Sequence, residues 1–159
     1  ASKTFNIAGL HTSYTIIESS SLRRSYKKAK RGFGTGNSPF GLLALKTAYN
    51  KSEDWLEDQL KYLEDNYNYL RKYISEKIPQ IKVTRAEGTY LVWLDCSKLG
   101  FDNDKQLIEF MNKKAEVGLN PGRWFGDGGS MFMRLNIACP RQRLKEGLER
   151  IKKAVANRY

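Results

Sequence analysis

The sequence predicts an α/β protein whose second half is α+β: a small mixed or antiparallel sheet covered by helices and joined to the first half by one long helix. Three observations carry this. Leu56, Leu60, Leu63, Tyr67, Leu70 and Ile74 recur at spacings of four and three, which makes one apolar stripe on a helix. After Pro79 the pattern changes to runs rich in β-branched and aromatic residues, over 81–84, 89–95 and 131–137. Pro140 then opens a closing helix on which Leu144, Leu148, Ile151 and Val155 share a face.

The elements follow in order. Residues 2–10 are polar and then small, and read as a turn or loop. Residues 14–17 are β-branched and aromatic, and predict a short buried strand. Residues 20–30 form a basic, serine-capped helix, and Gly32, Gly34 and Gly36 break the chain after it. Pro39 suits the first turn of a helix running to about Asn50. Ser52 can cap the long helix, with Glu53 and Asp54 at its positive end, and Pro79 stands just past its finish. A helix over 104–114, a short strand near Val117 and a turn at Asn120-Pro121-Gly122 complete the pattern. Alternation along 131–137 sets Phe132, Arg134 and Asn136 on one face and Met131, Met133, Leu135 and Ile137 on the other.

A chain of 159 residues has room for one compact domain, or one domain plus a piece of another. With 40% apolar and 28% charged residues it has a globular composition, and no apolar run reaches the length needed to cross a bilayer. Residues 1–10 lack the basic-then-apolar pattern of a secretory signal. Cys96 and Cys139 lie far apart, which suggests reduced structural thiols in a cytoplasmic protein; with one histidine in the chain, no metal site is expected. The net charge of +11 admits a nucleic-acid partner, or the separation of a basic part from an acidic remainder.

Most candidate chemical motifs dissolve on inspection. The glycines at 32, 34 and 36 have no strand–loop–helix unit around them, so a solvated basic helix followed by a connection is the simpler reading. Nothing beside Glu87 and Asp95 suggests acid–base work, and Asp102, Asp104 and Glu109 lack the spacing of a calcium loop. Ser2, Ser13 and His11 form no nucleophile arrangement. Arg134 is more informative, because a charge in the middle of an apolar strand needs a partner. That partner is an internal carboxylate, solvent on one side of the strand, or a ligand carboxylate met by the planar guanidinium fork. Lys3, by itself, is one lysine among many.

Taken together, several segments resemble one family. Residues 2–10, Ser-Lys-Thr-Phe-Asn-Ile-Ala-Gly-Leu, are similar to the cofactor-lysine segment of the class I/II aminotransferases, and within them to the cystathionine β-lyase (C–S lyase) subgroup. Asn37-Ser38-Pro39 agrees in order and spacing, as do Trp55-Leu56 with Tyr62-Leu63 and Asn66, and residues 88–95, Gly-Thr-Tyr-Leu-Val-Trp-Leu-Asp. So do Pro121-Gly122 through Phe125-Gly126 to Arg134-Leu135-Asn136, and the closing Cys139-Pro140-Arg141. The resemblance covers essentially the whole chain. It implies the carboxyl-terminal part of a fold type I pyridoxal-phosphate enzyme, with residues 1–57 the remnant of the large cofactor-binding domain. Residues 58–159 would then be the small domain with its inter-domain helix.

The resemblance also implies roles. Lys3 is the lysine that carries pyridoxal 5'-phosphate and removes the substrate Cα proton. Ser2 lies near the cofactor phosphate, Asn37 and Ser38 near that phosphate or a subunit interface, and Arg134 binds the α-carboxylate of an amino-acid substrate. The implied reaction is β-elimination from cystathionine- or cysteine-type amino acids to thiol, pyruvate and ammonia, with transamination as the alternative. The resemblance further implies a homodimer. No membrane partner is expected, and a basic nucleic-acid-binding module is the reading from another class. Because the family's glycine-rich phosphate site, ring-stacking aromatic and partner of the pyridine nitrogen precede the lysine, the isolated chain is expected to be inactive.

Overall fold

The structure, a computed structural model, describes residues 1–32, 36 and 38–158. The chain divides into two compact units, Ala1–Asp58 and Gln59–Tyr159.

The first unit is built on two helices and the start of a third. Ser19 caps α1 (Ser20–Arg31) by accepting the Leu22 N–H at 3.3 Å, and Gly32 closes it. α2 (Pro39–Lys51) has its proline in the first turn, where the missing N–H costs nothing. Gly41 of α2 meets Thr12 so closely that an added Cβ would stand 1.9 Å from the threonine Oγ1. Phe5 meets Tyr49 edge-on at 5.2 Å and stacks on Trp55 at 6.4 Å, which anchors the opening segment to the helices. The strand expected over 14–17 does not form. Tyr14 and Ile16 are 57% and 81% exposed, and a strand exists only by pairing its backbone groups with a neighbour, which no described residue offers.

The long helix α3 (Glu53–Lys77) continues into the second unit. Its apolar stripe follows the spacing from Leu63 onward, where Leu70 and Ile74 are fully buried and Leu63 and Tyr67 pack at the margin, whereas Leu60 is exposed and Leu56 only half-buried. The sheet has the order β1-β2-β4-β3, built from Lys82–Val83, Leu91–Asp95, Asn120–Pro121 and Phe132–Asn136. All three pairings are antiparallel, and Trp93 faces Arg134 across β2 and β4. Val92, Leu94 and Met133 point into the core, so Trp93, Phe132 and Arg134 occupy the opposite face. The strand expected near Val117 is displaced. The Val117 N–H bonds back to the Met111 carbonyl at the end of the preceding helix, and pairing with β4 begins at Asn120.

α4 (Asp104–Glu109) is capped by Asn103, which accepts the Gln106 N–H at 3.1 Å. It continues as a π-helical turn, Phe110–Lys114, in which the Ala115 N–H reaches the Phe110 carbonyl. α5 (Arg141–Ala156) covers the same core with Leu144, Leu148, Ile151 and Val155, the four positions the periodicity selects. Each such fully buried aliphatic side chain contributes roughly 1.5–3 kcal/mol.

The tightest join in this unit is polar. Asn66 of α3 is fully buried, and its Nδ2 donates to the carbonyls of Ile137 and Cys139 at 2.9 and 3.0 Å. Its Oδ1 accepts from Arg141 Nε at 2.6 Å. Tyr62 accepts the Arg141 N–H at 2.8 Å, and the Arg141 guanidinium lies 4.8 Å over the Tyr69 ring. Residues at i, i+4 and i+7 of one helix face therefore grip the turn between β4 and α5.

A second tie between α3 and α5 is pH-sensitive. Tyr73 donates to Glu149 Oε1 at 2.5 Å, and Lys152 donates to Oε2 at 3.0 Å. The Tyr73 and Lys152 hydrogen bonds hold the Glu149 carboxyl below the usual glutamate range, while burial and Glu149 push the Tyr73 hydroxyl above its own. A depressed carboxyl contributes stability above its unfolded value, and that stability is lost as pH falls through the folded value. Tyr73→Phe should accordingly have a lower urea midpoint than wild type at about pH 6, and the gap should narrow by about pH 3. A gap that stayed constant over that range would contradict the coupling.

Candidate functional site

In the first unit, Lys3 sits in a turn closed by the Phe5 N–H donating to the Ala1 carbonyl at 3.0 Å. The Phe5 ring pins this turn to Tyr49 and Trp55, and the Lys3 side chain is exposed beside a half-buried Ser2. Asn6 and His11 take left-handed backbone angles, φ 53° and 48°, on either side of a short 3-10 turn, Ala8–Leu10. His11 is exposed. Ser38 is exposed at the N-cap of α2, where its carbonyl accepts the Leu42 N–H. Asn37 lies outside the described residues, as do Gly34 and its two neighbours in the glycine-broken connection.

In the second unit, the sheet face opposite the core carries Arg134 among aromatic rings. Arg134 is half-buried, with its guanidinium 4.1 Å from the Phe125 ring centre and Nη2 donating to Asn120 Oδ1 at 3.2 Å. The Trp93 ring meets Phe125 edge-on at 5.3 Å and Phe132 at 6.4 Å. Arg134 Nε is buried and has no hydrogen-bond partner. None of the ion pairs among the described residues involves Arg134. An arginine is thus held where burial costs free energy, with one donor unsatisfied. Of the three partners the sequence allowed, an internal carboxylate is excluded among the described residues.

Sequence reasoning assigned no role to Asn120, Phe125 or Asp104. Asn120 was masked by its own turn signal, yet it is the β3 partner of Arg134 in the sheet register. Phe125 is separated from Arg134 by nine positions in the chain and reaches it through a loop, which periodicity does not report. Asp104 is buried, and accepts from the Met131 N–H at 2.7 Å and the Ser130 hydroxyl at 3.0 Å. The carboxylate pair considered from the sequence is ordinary. Glu87 pairs with Arg85 at the surface, and Asp95 caps the Ser97 N–H. The buried Cys96 thiol is pushed up to about 12, chiefly by desolvation, so it is an inert core thiol. No group of three or more metal-ligating side chains gathers among the described residues. No helix among them is long and apolar enough to cross a membrane.

Residues 1–151 match the family model described as aminotransferase class I and II, and the chain belongs to that family. Over 156 residues it is 39% identical to cystathionine beta-lyase PatB of Bacillus subtilis, covering 98% of this chain and 40% of that protein. It is 36% identical to protein MalY of Escherichia coli, covering 92% of this chain and 38% of that protein. Among solved structures it superposes on cystalysin from Treponema denticola, which contains a pyridoxal 5'-phosphate cofactor. The TM-score is 0.94 at 34% identity, covering 99% of this chain and 40% of that one. The chain thus has the α/β fold of a part of the fold type I pyridoxal-phosphate enzymes, and spans about 40% of the length of these relatives.

A residue kept for a ligand should be dispensable to folding. Arg134→Met removes the orphaned Nε and the buried charge, and loses one hydrogen bond and one ring contact. Its unfolding free energy in urea should lie within about 1 kcal/mol of wild type. A loss above about 3 kcal/mol would mark Arg134 as structural instead.

Proposed function

We propose that this chain forms the lysine-bearing and carboxylate-binding part of a pyridoxal-phosphate-dependent carbon–sulfur β-lyase. The reaction proposed is elimination from cystathionine- or cysteine-type amino acids, giving a thiol, pyruvate and ammonia. The observation that carries the reading is Arg134, half-buried with an unpaired Nε in a chain 39% identical to a cystathionine β-lyase. A guanidinium so held suits the α-carboxylate that every amino-acid substrate presents.

The residues present fit the cofactor. Lys3 offers an exposed primary amine, the group an aldehyde cofactor needs, and Ser2 offers a hydroxyl beside it for a phosphate. Asn37 and Ser38 are the further residues assigned to that phosphate or to a subunit interface. Pyridoxal phosphate, when bound, supplies the sink for negative charge at the substrate Cα. The chain's own contributions are positional and acid–base: Arg134 fixes the carboxylate, and Lys3 Nζ removes the Cα proton when neutral. The family relationship supports a homodimer, and the two free thiols, Cys96 and Cys139, support a reducing, cytoplasmic setting. By itself the chain is proposed not to turn substrate over, because it spans about 40% of the length of its catalytically named relatives.

The test expresses the chain within its complete reading frame and supplies cystathionine. The wild type should release pyruvate and ammonia without an added keto acid, and Lys3→Ala should lower that rate by roughly a thousandfold or more. Undiminished release by Lys3→Ala would sink the assignment. Accumulation of the keto form of the whole substrate, dependent on an amino acceptor, would select the aminotransferase reading, which the breadth of the family supports.

A further inference from the structure

We propose that Asp104 is a positioning residue for Arg134: its carboxylate clasps the loop that holds Phe125 against the guanidinium, and so sets how well that guanidinium engages a ligand carboxylate. The inference rests on the reading of Arg134 as a carboxylate receptor.

Phe125 ends a 3-10 turn, Gly122–Phe125, and a second such turn, Asp127–Gly129, leads back toward β4. Gly122 and Gly129 touch backbone to backbone: a Cβ added to either would stand 2.2 or 2.1 Å from the other's carbonyl oxygen. The loop is therefore closed on itself at its neck, and a closed loop needs an external tie to have one orientation. Asp104 is that tie. At 9% exposure its Oδ1 accepts the Met131 N–H at 2.7 Å and its Oδ2 accepts the Ser130 hydroxyl at 3.0 Å, with Arg123 Nη1 4.0 Å away. These groups bracket the loop at both ends.

The tie also holds a strained residue. Met131 has φ 62°, a left-handed angle that is unfavourable for a long side chain. The Met131 N–H and the neighbouring Ser130 hydroxyl each donate a charge-assisted hydrogen bond to the Asp104 carboxylate at the start of α4, which offsets that strain. The Met131 carbonyl in turn accepts the Cys96 N–H at 3.0 Å, so the residue is fixed from both of its peptide groups. Downstream, Phe132 enters β4 and Arg134 follows two residues later on the same face. Upstream, Phe125 is returned over the Arg134 guanidinium at 4.1 Å, backed by Trp93. With one flat side covered by a ring and Nη2 held by Asn120, the guanidinium keeps its plane and its orientation. Asp104 touches no part of the guanidinium and acts through the loop alone.

The experiment follows the side-chain Nε–Hε resonance of Arg134 by NMR in the ¹⁵N-labelled 159-residue chain, assigned by its loss in Arg134→Met. Acetate is the carboxylate probe. In the wild type the Phe125 ring current should shift the resonance upfield, and acetate should move it saturably. In Asp104→Ala the ring-current shift should collapse toward that of Phe125→Leu, and the apparent Kd for acetate should rise roughly tenfold, the loss of about 1.4 kcal/mol. Asp104→Asn keeps an acceptor for the Met131 N–H and an amide that the Ser130 hydroxyl can accept from, so it should recover most of both effects. A purely structural role would lower stability without that pattern of rescue. Should Asp104→Ala not fold, Phe125→Leu decides: its half-exposed ring permits the change, and an acetate Kd equal to wild type overturns the proposal. An Asp104→Ala chain with the wild-type shift and Kd overturns it too, while leaving the reading of Arg134 standing. A wild-type resonance that acetate does not move overturns that reading, and this proposal with it.

Discussion

The second unit depends on one buried amide. Asn66 is fully buried, so each of its polar groups needs a partner within the protein, and each has one. Its partners are two carbonyls of the turn after β4 and the guanidinium that begins α5, while α3 carries the amide itself. One side chain of α3 thus fixes the distant junction of β4 and α5, in a geometry that tolerates little displacement, because an unmet buried donor costs about 1–3 kcal/mol. The apolar core supplies most of the favourable free energy of folding, yet it is permissive about register. A polar network with every bond made is not.

That constraint reaches the site through β4. The Ile137 carbonyl is tied to Asn66 and the Ile137 N–H donates to the Tyr90 carbonyl, so the end of the strand is fixed on two sides. A slip of one residue would send Arg134 into the core and Met133 out of it. At the other end, Asp104 fixes Met131. Arg134 therefore lies midway along a strand held at both ends, on the sheet face where Trp93, Phe125 and Phe132 meet. The site is rigid because the strand beneath it is, and an unpaired donor survives there because rigidity denies it another partner.

Much of this was legible in the sequence, for identifiable reasons. Long apolar periods report burial directly, so α3 and α5 and their inward faces could be read from Leu70, Ile74, Leu144 and Leu148. Alternation in β4 correctly set Arg134 apart from Met133. Short strands were less legible. Val117 has the composition of a strand but is drawn back to the end of the preceding helix, while Asn120-Pro121 has the composition of a turn and pairs. Residues 14–17 have strand composition without a strand partner, and composition reports what a segment suits rather than what surrounds it. Lys3 gained meaning only from the segment around it, since an exposed lysine has no distinguishing pattern. Asn66, Phe125 and Asp104 act through contacts that join distant parts of the chain, which periodicity cannot see. Asn66 and Phe125 stood out only as parts of a family resemblance.

The most direct measurement of the dependence on Asn66 is the unfolding free energy of Asn66→Ala and Asn66→Asp in urea. Removing the amide leaves two carbonyls and a guanidinium without their partner, so Asn66→Ala should lose about 3 kcal/mol or more. Asn66→Asp retains an acceptor for Arg141 but turns a carboxylate oxygen toward the Ile137 and Cys139 carbonyls, and should be no more stable than the alanine variant. A loss below about 0.5 kcal/mol in Asn66→Ala would contradict the account, because the second unit would then hold its register without the amide.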